Sequence, residues 1–497
     1  MRRIFILLSI ALTLALLVLG VRFDSKWFYG FILIGPLVLI GWHDILQKKR
    51  TVLRNFPIIG HGRFLMEAIR PELQQYFVEG NLDGMPINRV LRSVVYQRSK
   101  GELQTLPFGT QKDVYAVGYE WLSHSLSPKK IDPNKLRTVI GSYSAKQPYE
   151  SSLFNISAMS FGSLSQAAIS ALNDGAHLGG FSHNTGEGGL SPYHERGADL
   201  VWQIGTGYFG CRTPDGNFCE ESFVKNAAKP QVKMIEIKLS QGAKPSHGGI
   251  LPAVKVTPEI AAIRGVPLGQ DILSPASHGA FDSANGLVLF AEKLRELSGG
   301  KPVGFKLCVG RTEEFEEIVR AMKNLGKYVD FITVDGGEGG TGAAPLEFSD
   351  DVGMPLREGL SFVHDTLVKE GVRDKLKIIA SGKIITAFEI LVAMALGADL
   401  INSARGMMLA LGCIHALRCN TNRCPVGITT NDPNLFKGLD VPTKKDRVAR
   451  YHKETMKALA ELTGALGYEH PSQITRKDIY RRISLDKVST FDQIYRS

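Results

Sequence analysis

From about residue 150 onward the chain repeats one unit: a short apolar run, a turn of glycine or small polar residues, and an amphipathic stretch of helical period. This alternation constrains the fold more than any other feature. Apolar runs joined by crossover helices pair in parallel and are buried on both faces. Eight runs are read, at 153–159, 181–184, 232–238, 271–274, 303–309, 331–335, 377–381 and 400–403. Eight such units predict an α/β fold of the (β/α)8 TIM-barrel type over 146–431, with functional groups at the C-terminal strand ends. The run at 271–274 is short and bounded by Ser-Pro, and the same periodicity also fits an open doubly wound sheet. At 497 residues there is room for flanking pieces: an N-terminal segment 1–50, an extension 51–145 packing on the barrel, and a helical tail 432–497.

The N-terminus reads as an address. Residues 4–21 are uncharged and apolar over a length that crosses a bilayer, and a shorter run at 27–42 carries Pro36. Trp27, Tyr29 and Trp42 sit at the ends of the second run, where aromatic rings favour the headgroup region. Arg2 and Arg3 precede the first run, and Lys48, Lys49, Arg50 and Arg54 follow the second. Positive charge at both outer ends predicts a two-helix hairpin in the cell membrane, with both termini and the catalytic domain cytoplasmic. A signal peptide is the alternative, but no small-residue cleavage site follows the first run. The formal charge of +10 comes from Lys and Arg dispersed along the chain, not gathered with aromatics, which argues against nucleic acid as a partner.

Glycine clusters in the second half of the repeat. Asp335-Gly-Gly-Glu-Gly-Gly-Thr-Gly342 places Gly336, Gly337, Gly339 and Gly340 directly after the sixth run. The loops after the last two runs read Ser381-Gly382-Lys383 and Ala404-Arg405-Gly406. Each offers backbone N–H groups and a cation, as a phosphate dianion requires, and barrels often bind phosphate at this place. A phosphate-bearing cofactor is the expectation.

Six cysteines in a chain this long make no disulfide framework. Three of them, Cys413, Cys419 and Cys424, fall in one stretch with Pro425 directly after the last. Thiolates so close call for a cation. An iron–sulfur cluster, a zinc ion with His415 as fourth ligand, and unligated buried thiols all fit the spacing. Cys211, Cys219 and Cys308 lack such grouping and read as core residues.

Taken together, these motifs resemble the FMN-binding synthase domain of the glutamate synthase family over about residues 150–431. The matching stretches are Ser157-Ala-Met-Ser-Phe-Gly-Ser163, Asn184-Thr-Gly-Glu-Gly-Gly189, Lys238-Leu-Ser-Gln-Gly-Ala-Lys-Pro245, Gly337-Glu-Gly-Gly-Thr-Gly-Ala343, and Gly412-Cys413 through Cys424-Pro-Val-Gly427. The resemblance implies FMN over the barrel mouth and a 3Fe–4S cluster on the three cysteines. It also implies that Lys238, Gln241 and Lys244 surround the flavin and the 2-oxoglutarate site, with Glu187 near the ring. Ala158, Met159 and Ser160, through their backbone, and Gln203 would touch the isoalloxazine. Lys306 suits the flavin edge where negative charge gathers on reduction. Glu236 shares the strand face of Lys238, so a plain buried ion pair between them is the competing reading. Lys244 reads equally as a solvated loop residue, and His183 and His247 as hydrogen-bonded scaffold. Asp335 reads as a group that orients the glycine turn following it.

Departures from the family narrow the activity. Family members that use glutamine carry an amidotransferase domain with a cysteine after the start methionine, whereas this sequence opens Met1-Arg2-Arg3. No dinucleotide-binding domain follows the barrel, and Asn420-Thr-Asn-Arg423 lies between the last two cysteines. The expected activity is therefore reductive amination of 2-oxoglutarate with ammonia, free or from a separate amidotransferase. Electrons would come from a ferredoxin or a separate reductase. An N-alkylglutamate synthase taking a small amine and a membrane electron-relay module are the alternatives.

Overall fold

The computed structural model describes residues 1–102 and 104–495 and divides into two compact units, Met1–Pro86 and Ile87–Ser497. The division falls inside the stretch 51–145 that the sequence reads as one extension.

In the larger unit eight parallel strands close on themselves: β1 (Phe154–Ile156), β2 (His183–Asn184), β3 (Leu200–Ile204), β4 (Val232–Lys238), β5 (Val303–Leu307), β6 (Phe331–Asp335), β7 (Lys377–Ser381) and β8 (Leu400–Ser403). The closing pair sets Ile401, Asn402 and Ser403 against Phe154, Asn155 and Ile156. Seven of the eight expected runs are barrel strands. The run at 271–274 is not. Its core, Ile272–Leu273, pairs antiparallel with Ile250–Leu251 in a separate two-stranded sheet. The strand missing from the sequence reading is β3, Leu-Val-Trp-Gln-Ile, buried at every position. Gln203 interrupts its apolar run. Inside the barrel that amide is matched by Glu236, its register partner on β4.

The barrel helices follow ordinary local rules. Gln166–Gly179 starts on the side chain of Ser165, which accepts from the Ala168 amide, and stops at Gly180 in the left-handed region. Ala387–Ala395 opens with a Thr386/Glu389 capping box. The C-terminal part is not only helical. Val441–Ala465 packs against Gln166–Gly179 and Arg89–Lys100, and the later strands Ile479–Arg482 and Val488–Thr490 join Glu120–Leu122 in a three-stranded sheet.

In the smaller unit, Arg2–Arg22 and the segment Ser25–Leu46 are both long and apolar enough to cross a membrane. A short 3-10 turn lengthens the second segment beyond the 27–42 run. The two pack through small residues: a Cβ on Gly41 would lie 2.0 Å from the Phe5 ring, and one on Gly20 2.5 Å from Phe28.

Candidate active site

Side chains that alternate inward along the barrel strands meet at its C-terminal mouth. Glu236, two residues before the end of β4, is fully buried. Its carboxylate accepts from Asn184 Nδ2 at 2.8 Å, Gln203 Nε2 at 2.6 Å and Thr333 Oγ1 at 2.6 Å, so it ties four strands together. An ion in the interior persists only when its lone pairs are matched in this way. Gln203 thus spends its amide on Glu236.

One layer above, Lys238 and Lys306 are register partners on β4 and β5. Lys238 does not pair with Glu236. Its Nζ lies 2.8 Å from Glu187, in the loop after β2. Lys306 faces Asp335 at 3.2 Å. Burial works against the Lys306 charge, but Asp335 and Glu236 outweigh it and hold its pKa above the lysine range. Burial would likewise raise Glu187, yet Lys238, Lys244 and Arg264 keep its carboxyl below the usual value. Lys244 is buried rather than solvated, and burial lowers it to about 8 against the pull of Glu187.

Asp335 orients something other than the glycines that follow it: its Oδ2 accepts from the Gly242 amide at 2.9 Å, across the mouth. Gln241 belongs to the same turn, with its carbonyl accepting from the Lys244 amide. His247 Nδ1 lies 3.0 Å from the Gly248 carbonyl, and His183 is fully buried beside the His194 ring.

Several of the glycines are accounted for by protein contacts. A Cβ on Gly336 or Gly337 would strike Leu356 or the Gly353 carbonyl, and one on Gly340 would enter the Arg405 guanidinium. The Gly339 amide donates to the Gly336 carbonyl, closing the turn. Gly406 is pressed by Tyr451 Oη at 2.5 Å from its would-be Cβ. Ser381 Oγ sits 3.3 Å from Ser157 Oγ, bridging β7 to the loop after β1. Met159 is committed at both ends, its amide to the Asn184 carbonyl and its carbonyl to His194 Nε2. Ser160 Oγ donates to Ser163, and Ala158, directly before Met159, is half-buried.

A test of fit for a phosphate is the company kept by Lys383, held with φ at 54° just past β7. Burial lowers its pKa and the Arg405 guanidinium lowers it further, so two cations at the ends of β7 and β8 repel each other. A dianion between them relieves that repulsion. Gly382 and Lys383 also line a separate cavity of about 240 Å³, whose other walls include Glu338, Arg357, Glu389 and Val392 and not Arg405.

The cysteine loop follows β8. Burial raises the Cys413 thiol, and Cys419 and Cys424 are close enough to add to that rise, which reaches about 11. Cys424 behaves oppositely: burial raises it, but donors from Thr429, Val426 and Ile428 bring its thiol below the usual range. Among the described residues no three His, Cys, Asp or Glu converge tightly enough for a single metal ion. His415 turns its Nδ1 to Arg92 at 2.9 Å. Cys211 and Cys308 are core residues, and Cys219 is half-buried.

Several neighbours have no motif to betray them. Tyr96 Oη donates to the Cys413 carbonyl at 2.6 Å, and Lys255 Nζ to the carbonyls of Ser163 and Cys419. Arg264 lies over the Phe209 ring and donates to the Phe161 carbonyl. His278 Nε2 meets the Lys238 carbonyl. Each lies outside the motifs read in the sequence.

Comparison with known proteins bears directly on this arrangement. Residues 118–469 match the model of the conserved region in glutamate synthase. The glutamate synthase large subunit-like protein YerD of Bacillus subtilis is 39% identical, covering 92% of this chain and 95% of that one. The archaeal glutamate synthase [NADPH] of Methanocaldococcus jannaschii is 36% identical over 70% of this chain and 65% of its own length. For the archaeal-type enzyme of Thermotoga neapolitana the figures are 35%, 62% and 58%, so the chain spans about three fifths of these NADPH-named relatives. The eight-stranded barrel, the order of its motifs and these likenesses agree: the chain belongs to the glutamate synthase family.

Proposed function

We propose that the protein is a glutamate synthase-type oxidoreductase that aminates 2-oxoglutarate reductively to glutamate. The observation that carries this reading is the set of buried cations at the barrel mouth, Lys238 and Lys244 around Glu187 and Lys306 on Asp335. The residues fit FMN in two places. Lys383, Arg405 and the Ser381–Gly382 turn would hold its phosphate, and Lys306 would face the ring. When bound, FMN supplies the electron pair that the reduction consumes.

The chain's own groups do the rest. Lys238 and Lys244 receive the carboxylates and the oxo group of the dicarboxylate, and Glu187 holds Lys238 in place. Condensation of ammonia with the carbonyl releases water, and two electrons with two protons complete glutamate. Cys413, Cys419 and Cys424 would carry a 3Fe–4S cluster through which a ferredoxin or separate reductase feeds the site. Ammonia arrives free or from a separate amidotransferase. The two apolar helices tether the enzyme to the cell membrane with the barrel cytoplasmic, which the flanking basic residues support.

The test is direct. Protein purified and reduced without oxygen should be reoxidised by 2-oxoglutarate with ammonium, and glutamate should form in step. If no oxo acid and amine reoxidise it while electrons still pass between the two redox groups, the synthase reading fails and a relay module replaces it.

A further inference from the structure

The helix Gly60–Leu73 and the wider turn Gln74–Val78 that prolongs it leave an apolar stripe uncovered. Leu65, Met66, Ile69, Leu73, Tyr76 and Phe77 fall on one side at helical spacing, and all six are exposed, Leu65 by 58% and Phe77 by 83%. The helix packs on its unit through other positions. Gly60 lies against Leu53, and the Phe64 ring lies under the Arg50 guanidinium at 4.4 Å. Isolated apolar side chains on a surface need no explanation, but a continuous stripe does.

Charge says what covers it. Lys48, Lys49, Arg50, Arg54, Arg63 and Arg70 face only Glu67 and Glu72 over residues 48–73. Arg63 and Arg70 lie together along one edge of the stripe on the helical wheel, with Glu72 along the other, and Arg63 reaches forward to Glu67 at 2.9 Å. The helix is also pinned to the end of the second apolar segment. Asp44, fully buried there, accepts from the Ile58 amide at 3.0 Å and meets His61 Nε2 at 2.9 Å. The helix itself balances Arg63 and Arg70 against Glu67 and Glu72, and the excess positive charge lies in Lys48, Lys49, Arg50 and Arg54 just before it. An amphipathic helix fixed beside such a basic stretch at the end of a membrane-spanning segment has an acidic lipid surface as its natural partner.

We propose that Gly60–Val78 is an interfacial element that lies on the anionic headgroup layer, its stripe from Leu65 to Phe77 sunk among the acyl chains. This rests on the membrane reading of the two apolar segments and adds to it a second contact selective for lipid charge.

The test uses the full chain in phosphatidylcholine nanodiscs, with and without phosphatidylglycerol, and in detergent, read by hydrogen exchange of residues 60–78. Exchange should slow about tenfold or more in the anionic discs relative to the neutral ones. The R63E/R70E variant should lose that difference, and L65D/F77D should lose protection in every disc, while carbonate still fails to extract either variant. Equal exchange in anionic and neutral discs overturns the proposal. So does protection already complete in detergent, which would put a protein surface on the stripe. A chain that carbonate strips from vesicles, yet whose residues 60–78 are protected only by anionic lipid, loses its spans and keeps this contact.

Discussion

At the scale of single residues, the mouth is a balance of buried charge. Lys238→Met keeps the aliphatic stem and removes the ammonium that Glu187 faces at 2.8 Å. Loss of one charge-assisted hydrogen bond in such a place costs roughly 1.5–3 kcal/mol, so turnover with 2-oxoglutarate and ammonium should fall about ten- to a hundredfold. Chemical reduction of the protein should be nearly unchanged. Lys244 predicts a pH effect with a definite sign. With a pKa of about 8, it is charged below that pH and neutral above it. Affinity for the dicarboxylate, measured by titration on oxidised protein, should therefore fall as pH rises through about 8. In Lys244→Met it should be weak and flat across the same range. Stability runs the other way. The unfolded chain keeps the Lys244 proton up to the ordinary lysine value of 10.5, so this residue makes folding more favourable as pH rises from about 8 toward it.

At the scale of elements, the strands were legible where they were apolar and punctuated, and illegible where they carried polar duty. Lys377–Ser381 and Val232–Lys238 end in a polar or charged residue at the functional rim and match the expected runs at both bounds. Leu200–Ile204 was hidden because Gln203 looks like a loop residue until Glu236 is known to face it. The false strand at 271–274 shows the converse: an apolar pair with β propensity forms whatever ladder is near, here with Ile250–Leu251. The site divides in the same way. Lys238, Lys244 and Glu187 lie in stretches that carry the family likeness and Lys306 on an expected strand, but the Lys238–Glu187 pairing depends on how the loop after β2 folds back. Arg92 reaches His415 from 323 residues away, a distance no local pattern encodes. Two predictions belong at this scale. Glu236→Ala strands three buried donors on β2, β3 and β6 and should cost about 3–5 kcal/mol in denaturant unfolding. Cys419→Ser should remove the iron and acid-labile sulfide while leaving most of the flavin, whose phosphate would be held by the β7 and β8 loops. Stoichiometric zinc without sulfide in the parent protein would refute the cluster.

At the scale of the whole molecule, the two long apolar helices and the eight-stranded barrel lie in separate compact units. The full chain should stay with the membrane after carbonate washing, and a chain beginning at Ile87 should be released into the supernatant. The larger unit is fastened by its own extremities: Glu120–Leu122 pairs with Ile479–Arg482, and Glu120 also accepts from Arg357 and Arg481. That fastening has a consequence for biosynthesis. Glu120 and Arg481 are 361 residues apart. At roughly 5–20 residues per second the ribosome needs tens of seconds to deliver the second after the first. Through that interval the early strand is an unpaired edge on the nascent chain. Emergence of Ile479–Arg482, rather than completion of the eighth barrel strand, is then the event that locks the unit, and a chain cut before Ile479 should be held by chaperones and cleared by proteases.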